Sequence, residues 1–233
     1  MRVDKLVSLY GTGGHANVVL DAALAEGASL YAVFYDRRGD RSFGGVRIRP
    51  GLALAGPEEF EPLHAPIIVC IGHNAARADI AEALVGPFAT AVHPRALISA
   101  DVTFESGTVI LHGAVVHSGS VLGQHVILNT MAVVGPGCVL DDFVHISPQA
   151  CLGENVRIGI GSHVGACAVI ADGVTVGRWC TIGARSTLEC DIADFTTVVG
   201  SPAHLVPGRD GQPLPTGRRR TYRPVSEHST ERQ

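Results

Sequence analysis

Aromatic side chains and charges are scarce in this sequence of 233 residues: aromatic residues make up 5% of it and charged residues 17%. Hydrophobic residues still make up 46%, so the core must consist mainly of aliphatic side chains. With 28 glycines in addition, the composition favours a repetitive β architecture over a helical bundle. The formal net charge of −4 gives no electrostatic reason to expect a nucleic-acid partner.

Long apolar runs and paired cysteines are also absent. No stretch reaches the ~18 apolar residues that a membrane helix needs, so we predict no membrane span. The N-terminal segment has the pattern of a strand and a glycine-rich loop, which does not fit a signal peptide. None of the cysteines forms a CxxC pair. We therefore expect a cytoplasmic protein with reduced thiols, and neither disulfides nor a zinc site, at Cys70, Cys138, Cys151, Cys167, Cys180 and Cys190.

Strand and helix patterns alternate over residues 1–94. Apolar strand segments lie at residues 6–10, 30–35 and 67–71, and helical apolar spacing lies at residues 17–26 and 75–84. This alternation predicts a small α/β domain with a parallel sheet.

A stricter pattern runs through residues 95–206. From Ile98 to Leu188 every sixth residue is large and apolar, at sixteen positions without a miss or an insertion. Two residues before each of them lies a small or β-branched residue, from Ala96 to Ser186. A helix cannot bury every sixth residue, whereas a chain that turns a corner every six residues can. With three sides, one coil has 18 residues, so the sixteen positions predict a parallel β-helix that makes between five and six coils from Ile98 to Leu188.

Residues 207–233 differ from both parts, because they are polar, contain proline and show no apolar period. We expect a flexible polar tail there. Its basic run, Arg218 to Arg220, is expected to be solvated. The alternative is that the run contacts a phosphate of CoA or of a nucleotide.

The sequence combines its repeat with the segments GTGGHANVVLDAA, IGHNAARADIAEAL, VILNT, DDFVHISP and VVGSPAHLV. In these features it resembles the left-handed β-helix acyltransferases of the hexapeptide-repeat superfamily. Within them it is most similar to the sialic-acid O-acetyltransferases and the bacillosamine and perosamine N-acetyltransferases. The resemblance implies a left-handed coil, a homotrimer, acetyl-CoA between neighbouring β-helices, and a nucleotide-linked sugar on the N-terminal domain. No metal is expected.

The turn after the first strand has a phosphate-binding pattern. Gly11, Gly13, Gly14 and Ala16 form a GxGxxA-like turn, in which backbone N–H groups and a helix N-terminus can approach a phosphate. Asp36 closes the second strand, where a carboxylate often meets a ribose. The alternative is a tight turn that binds no ligand. Since ligands of such sheets bind at the carboxyl ends of strands, the predicted substrate-binding residues are Gly11, Gly13, Gly14, His15, Asp36, Gly72, His73 and Asn74.

The acyl-CoA site is implied by the resemblance. The family positions beside the pantetheine and the adenine correspond here to Gly165, Ala166, Ala184, Arg185 and Pro202. Small residues there leave room for a long, thin cofactor along the coils. Arg185 stands where the family often has a small residue, so it either pairs with a CoA phosphate or narrows the groove.

The residue that the family uses as a general base is missing. In the family a His follows the VILNT segment, and that position is Pro136 here. His117 lies 19 residues earlier (136 − 117), close to one coil, and is the first candidate for the catalytic base. His145 matches a family His near the acyl donor and is the second candidate. The third alternative is a chain without a dedicated base.

Three further histidines carry weaker expectations. His163 follows His145 by one coil (163 − 145 = 18), so the two rings should stack on one face. A metal role for this pair is not expected, because no third ligand lies at the stacked position. His112 and His125 are expected on solvated faces.

Together these features predict an acyl-CoA-dependent acyltransferase. The first hypothesis is acetyl transfer to the amino group of a nucleotide-linked amino sugar, and the sequence does not separate amine from hydroxyl acceptors. Two alternatives stay open: a trimeric nucleotide-sugar-binding protein with weak or lost transferase activity, and an acyltransferase with a non-nucleotide acceptor.

Overall fold

In the computed structural model the described residues are 5–36, 42–51, 65–84 and 87–206. The tail expected at residues 207–233, with its arginine run, lies outside them. The described part consists of a small α/β unit followed by a long parallel β-helix, which confirms the predicted fold class. The division of the chain at residues 94 and 206 stays a prediction.

Over its described residues, the α/β unit contains a mixed sheet and two helices. Its elements are β1 (Lys5–Tyr10), α1 (Gly14–Ala25), β2 (Ala28–Tyr35), β3 (Ser42–Phe43), β4 (Val46–Pro50), β5 (Ile67–Val69) and α2 (Asn74–Ala83). The sheet order is β3-β4-β2-β1-β5, and β1 is parallel to both of its neighbours. The predicted pattern lacked the antiparallel β3–β4 hairpin, whose turn residues Gly44 and Gly45 both have positive φ. A Gly-Gly pair between apolar residues is a signal for such a hairpin.

The β-helix has three flat faces, each a ladder of very short strands. The first face contains β6 (Ala91–Val92), β9 (Val109–Ile110), β12 (Ile127–Leu128), β15 (His145–Ile146), β18 (His163–Val164), β21 (Thr181–Ile182), β23 (Thr197–Val199) and β24 (His204–Leu205). The second face contains β7 (Leu97–Ile98), β10 (Val115–Val116), β13 (Val133–Val134), β16 (Cys151–Leu152), β19 (Val169–Ile170) and β22 (Thr187–Leu188). The third face contains β8 (Thr103–Phe104), β11 (Val121–Leu122), β14 (Val139–Leu140), β17 (Arg157–Ile158) and β20 (Thr175–Val176).

From β6 to β22, successive strands of a face are parallel and lie one coil apart. At the end of the first face, β23 is parallel to β21 with a spacing of 16 residues, and β24 is antiparallel to β23. Val115 pairs with Val133, for example, which is the predicted coil of 18 residues. The Val133 N–H donates to the Ala150 carbonyl of the next coil at 2.9 Å. The two predicted columns form the interior, where Leu128 and Ala132 are fully buried. The backbone ladder and the apolar ladder therefore share one register.

A third column with the same period is visible in the backbone dihedrals. Every sixth residue from Gly107 to Arg185 has φ between 53° and 75°, which is the left-handed region. Glycine occupies some of these corners, but most carry larger side chains: His125, Met131, Phe143, Gln149, Asn155, Cys167, Trp179 and Arg185. A larger residue in this region costs roughly 1–2 kcal/mol, so the coils stacked on either side must hold each corner in place.

The α/β unit packs on the first face of the β-helix. Val109 and Ile127 point out of the coil but are buried, and Val109 shares an apolar cluster with residues of β1 and α1. His145 and His163 continue the same outward column on the next two coils. The α/β unit therefore covers part of the first face of the β-helix and lies beside these two histidines.

All six cysteines are free thiols. Within the described ranges, neither α1 with 12 residues nor α2 with 10 is long and apolar enough to span a membrane.

The two residues of β17 place their side chains on opposite sides of the coil, one in the interior and one on the outer surface. Ile158 is buried inside the coil, whereas Arg157 is exposed. We expect Ile158→Ala to lower the free energy of unfolding by about 2–5 kcal/mol, because it leaves a cavity inside a coil. Arg157→Ala should change it by less than about 0.5 kcal/mol. Denaturant unfolding followed by circular dichroism measures both values, and equal effects would contradict the assigned interior.

Candidate functional site

The glycines after β1 fall into two groups. Gly11 has a φ of +119°, and a Cβ on it would lie 3.1 Å from the Cys70 carbonyl oxygen. Glycine is required there, because the loops after β1 and β5 approach each other closely. Gly13 and Gly14 have no left-handed φ, and a Cβ on either would meet no atom within 4 Å. The fold alone therefore gives no reason for glycine at these two positions, which form the N-terminus of α1.

Asp36 is buried at the end of β2. Its carboxylate accepts a hydrogen bond from the Tyr10 hydroxyl at 2.5 Å. A Cβ on Gly51 would overlap this carboxylate, so the segment after β4 passes directly over it. The side chain predicted to meet a ribose thus joins the ends of β1 and β2 to the residue that follows β4.

His145 is held by hydrogen bonds at both ring nitrogens. The Asn129 side-chain oxygen accepts from the Thr130 N–H at 2.8 Å, which turns the Asn129 amide nitrogen towards His145. This amide donates to His145 Nε2 over 3.3 Å. His145 Nδ1 must therefore carry the proton, and it donates to the Gly72 carbonyl at 3.2 Å. These contacts fix both the tautomer and the orientation of the ring.

His145 is the middle member of a row of three imidazoles. Its ring centroid lies 5.0 Å from that of His163 and 6.1 Å from that of His15. The predicted stacking of His145 and His163 is confirmed, since the two residues pair in register on the first face. His163 Nε2 lies 2.7 Å from the Ser147 hydroxyl oxygen. His15 Nε2 is buried without a hydrogen-bond partner.

The three imidazoles are neutral at pH 7. Burial, reinforced by the Arg77 charge, lowers the pKa of His15 to about 4. Burial also holds the pKa of His145 well below its usual value, with smaller contributions from His163 and Arg77. The pKa of His163 is lowered by burial and then by Arg77 and His73. Neutral imidazole is the form that can accept a proton.

Arg77 joins the α/β unit to the β-helix. Its guanidinium is fully buried and donates to the carbonyls of Ile71 at 2.9 Å, His125 at 3.1 Å and Phe143 at 2.8 Å. It also donates to the Asn74 side-chain oxygen at 2.9 Å. The salt bridges among the described residues do not include it. Burial lowers the pKa of Arg77 to about 9.

Asn74 completes this junction. Its amide donates to the Gly161 carbonyl at 2.9 Å and to the Ser162 carbonyl at 3.2 Å. Asn74, which was predicted as a substrate-binding residue, thus donates both amide hydrogens to carbonyls of the β-helix. Arg77 was not among the predicted residues, although Asn74, Arg77, Ala78 and Ala81 lie on one helical face. A single arginine within such an alanine-rich face was the signal that could have identified it.

An open cleft of about 230 Å³ lies between the start of α2 and the β-helix. Gly72 and His73 line it on one side, and His163, Trp179 and Thr181 line it on the other. The His73 Nδ1 accepts the Ala76 N–H at 3.2 Å and so caps α2. The structure therefore brings the predicted residues Gly72, His73 and Asn74 together with His163.

His117 lies elsewhere on the β-helix. It is exposed at the corner after β10, on the second face, and its N–H donates to the Val134 carbonyl at 3.0 Å. Gly135 and Pro136 form the same corner one coil later. The structure does not bring His117 together with His145, because His117 lies at the corner after the second face and His145 lies on the first face.

The other two histidines have opposite outcomes. His112 is exposed, as expected. The expectation for His125 is wrong, because it is only 1% exposed. Its ring stacks on Phe143 at 5.1 Å and meets the edge of Phe88 at 4.5 Å. The α/β unit covers this corner, which a pattern of coils alone does not indicate.

Most of the predicted cofactor residues lie on two adjacent coils. Gly165 is buried, and a Cβ on it would lie 2.5 Å from the Ala184 nitrogen, so the next coil requires glycine there. The Arg185 N–H donates to the Ala166 carbonyl at 2.8 Å, and its side chain is exposed. Pro202 is exposed in the turn after β23. The corner after the first face thus combines small residues with one exposed arginine.

Comparisons with known proteins agree with this architecture. Residues 6–84 match the family described as the PglD N-terminal domain. The acetyltransferase domain of PglB from Neisseria gonorrhoeae, in complex with acetyl coenzyme A, is 36% identical; the match covers 87% of this chain and 100% of that one, with a TM-score of 0.79. This chain belongs to the hexapeptide-repeat left-handed β-helix acyltransferases. The resemblance stated from the sequence is thereby confirmed.

Two further structures resemble this hexapeptide-repeat acyltransferase. PerB from Caulobacter crescentus, in complex with CoA and GDP-perosamine, is 29% identical, with 86% of this chain and 96% of that one covered and a TM-score of 0.78. WeeI from Acinetobacter baumannii is 18% identical, with coverage of 86% and 99% and a TM-score of 0.76, and supports the fold alone. A comparison with curated proteins returned no match.

The buried histidines make the stability of this acyltransferase depend on pH. Burial, reinforced by the Arg77 charge, lowers the pKa of His125 to about 4. The unfolded chain, with an ordinary His pKa near 6.5, therefore binds a proton first as the pH falls. Stability is present above pH 6.5 and is lost between about pH 6.5 and 4.

We expect His125→Phe to reduce this loss by on the order of 2–3 kcal/mol, because it keeps the ring and removes the titrating group. The free energy of unfolding at pH 7 and pH 4.5 measures the effect. His112→Phe is the matched control and should leave the pH dependence unchanged. If His125→Phe loses as much unfolding free energy between pH 7 and pH 4.5 as the wild type, the burial of His125 does not cause the pH dependence.

Proposed function

We propose that this chain transfers the acetyl group of acetyl-CoA to the amino group of a nucleotide-linked amino sugar. The observation that carries the proposal is the position of the cleft beside His163. Gly72 and His73, in the loop after β5, border it from the α/β unit, and Gly165 follows His163 by two residues. Relatives with 36% and 29% identity are described as holding acetyl-CoA, and CoA with GDP-perosamine.

The open glycines support a nucleotide phosphate at the N-terminus of α1. A Cβ on Gly13 or Gly14 would meet no atom within 4 Å, and neither residue has a left-handed φ. Free backbone N–H groups at a helix N-terminus attract anions. A side chain at either position would occupy the space that a diphosphate needs. The α/β unit therefore supplies the acceptor site.

The corner of Gly165, Ala166 and Ala184 suits the pantetheine arm. These residues are small, and the exposed Arg185 guanidinium beside them can pair with a CoA phosphate. A thioester that enters along this corner reaches the first face at His163. The β-helix therefore supplies the donor site.

The proposed transfer requires a proton acceptor, and Pro136 cannot serve. His117 and His145 are the two candidates from the sequence, and a chain without a dedicated base is the third alternative. The last of these favours a second function, a nucleotide-sugar-binding protein without efficient transfer. Thiol release separates the two functions, since only the first consumes acetyl-CoA.

We expect thiol release from acetyl-CoA when GDP-perosamine or a UDP- or dTDP-linked 4-amino sugar is supplied, and an N-acetylated product. Gly13→Ala should weaken binding of the nucleotide sugar by at least about 10-fold, because a Cβ intrudes between the phosphate and the backbone. Its CoA affinity and melting temperature should stay near those of the wild type. Calorimetric titration with each ligand provides these values.

Binding of both ligands without thiol release would instead favour the second function. Unchanged nucleotide-sugar affinity in Gly13→Ala would contradict the phosphate site at α1.

The second face of the β-helix supports a homotrimer. Its outward column is apolar over five coils: Leu97, Val115, Val133, Cys151 and Val169. Leu97 is 68% exposed. An apolar stripe of this length on one flat face is typical of a contact between subunits. In the proposed trimer, each of these faces packs against a neighbouring β-helix.

We expect Val133→Arg to dissociate the trimer, because it would bury a charge at the centre of the stripe. Thr175→Arg, an exposed residue of the third face, is the matched control and should remain trimeric. Sedimentation velocity reports the mass of each variant. A monomeric wild type, or a trimeric Val133→Arg protein, would contradict the assignment.

A further inference from the structure

We infer that His163 is the catalytic base of this acetyltransferase and that Ser147 orients it. The inference rests on the proposed function, whose reaction needs a base that Pro136 does not supply. Two observations carry it: His163 borders the open cleft, and a hydroxyl holds its ring.

His163 lies between the proposed donor and acceptor sites. Across the cleft it faces Gly72 and His73, which follow β5. Along the chain it is followed by Val164, which points into the coil, and then by Gly165 at the proposed pantetheine corner. An amine held by the α/β unit and a thioester held by that corner would therefore meet beside this imidazole.

The other histidines are less well placed for this role. His145 is 9% exposed and hydrogen bonded at both nitrogens, so its lone pair is occupied by Asn129. His117 is exposed on a different face. His15 lies beside His145 at the other end of the row from His163, and the ring centroids of His15 and His145 are 6.1 Å apart.

The hydrogen bond to Ser147 leaves one nitrogen of His163 available. When Nε2–H donates to the Ser147 oxygen at 2.7 Å, Nδ1 carries the free lone pair. No hydrogen bond to Nδ1 occurs among the described residues, and this nitrogen is not among the buried atoms without a partner. Ser147 thus plays the orienting part that a carboxylate plays in other base pairs.

The charged and titratable groups around His163 keep it neutral. His145 stacks on it from β15, and Arg77 and His73 act on it from α2 and from the residue before α2. Burial is the largest cause of its lowered pKa, and Arg77 and His73 add to it. A neutral ring at pH 7 is ready to accept a proton.

The reaction balances with these groups alone. The uncharged amine nitrogen attacks the thioester carbonyl carbon, a C–N bond forms, and Nδ1 of His163 takes a proton from that nitrogen. The tetrahedral intermediate then collapses, and the C–S bond breaks. The imidazolium returns the proton to the leaving sulfur. The products are the N-acetyl sugar nucleotide and CoA thiol, and no oxidant or reductant is needed.

The test measures kcat, KM and the pH profile of thiol release with acetyl-CoA and the amino-sugar nucleotides named above. We expect His163→Ala and His163→Gln to lower kcat by about 10²–10⁴-fold, with both KM values within a few-fold of wild type. Added imidazole should partly restore His163→Ala. The wild-type kcat should fall only below about pH 6.5, because the pKa of His163 lies under that value, and this acid limb should vanish in both variants.

Ser147→Ala should lower kcat by roughly 10-fold, since it loosens the ring without removing the base. His112→Ala, an exposed histidine outside the site, is the control and should retain wild-type rates. His163→Gln keeps a polar contact with Ser147, so it decides the matter if the alanine variant loses ligand binding.

An active wild type with His163 variants within 10-fold of its kcat would overturn this assignment and leave the proposed function intact. A loss confined to KM would assign His163 to binding and also overturn it. A wild type that turns over none of the probes would overturn the proposed function, and the assignment with it.

Discussion

The register between coils is the constraint on which the rest of the structure depends. Backbone hydrogen bonds join each coil to the next, so a residue on any face lies beside the residue 18 positions away. This places the rings of His145 and His163 5.0 Å apart. It also sets Gly165 against the Ala184 backbone, at the corner proposed to hold the pantetheine arm. A single inserted residue would break both arrangements, because side chains would then point to the wrong side of the face.

A second constraint is the junction between the two units. A buried guanidinium is stable only if its donors are satisfied, and Arg77 satisfies them with carbonyls from both units. Arg77 thereby links the loop after β5, which it bonds at Ile71, to the β-helix, which it bonds at His125 and Phe143. The carbonyl oxygen of Gly72, the residue after Ile71, accepts a hydrogen bond from His145 Nδ1–H. Docking of the α/β unit therefore determines which nitrogen of His145 is protonated.

The architecture could be predicted because its signal is repeated many times. Sixteen consecutive apolar positions from Ile98 to Leu188 leave little freedom for another fold. The left-handed corners were missed, because most of them carry residues such as Phe143 and Trp179 whose type does not indicate a positive φ. The β3–β4 hairpin was missed for the opposite reason, since it occurs once and its only mark is a Gly-Gly pair.

The sequence by itself determined the coil, its interior and the family, because packing inside a β-helix repeats at short distances along the chain. Only the tertiary structure decided that His125 is buried and His117 exposed, that both nitrogens of His145 are engaged, and that His163 borders a cleft. The burial of His125, the bond at His145 Nδ1 and the cleft depend on contacts between the α/β unit and the β-helix that are 48 to 88 residues apart in sequence. No local pattern records such contacts, since they arise from the docking of one unit on the other.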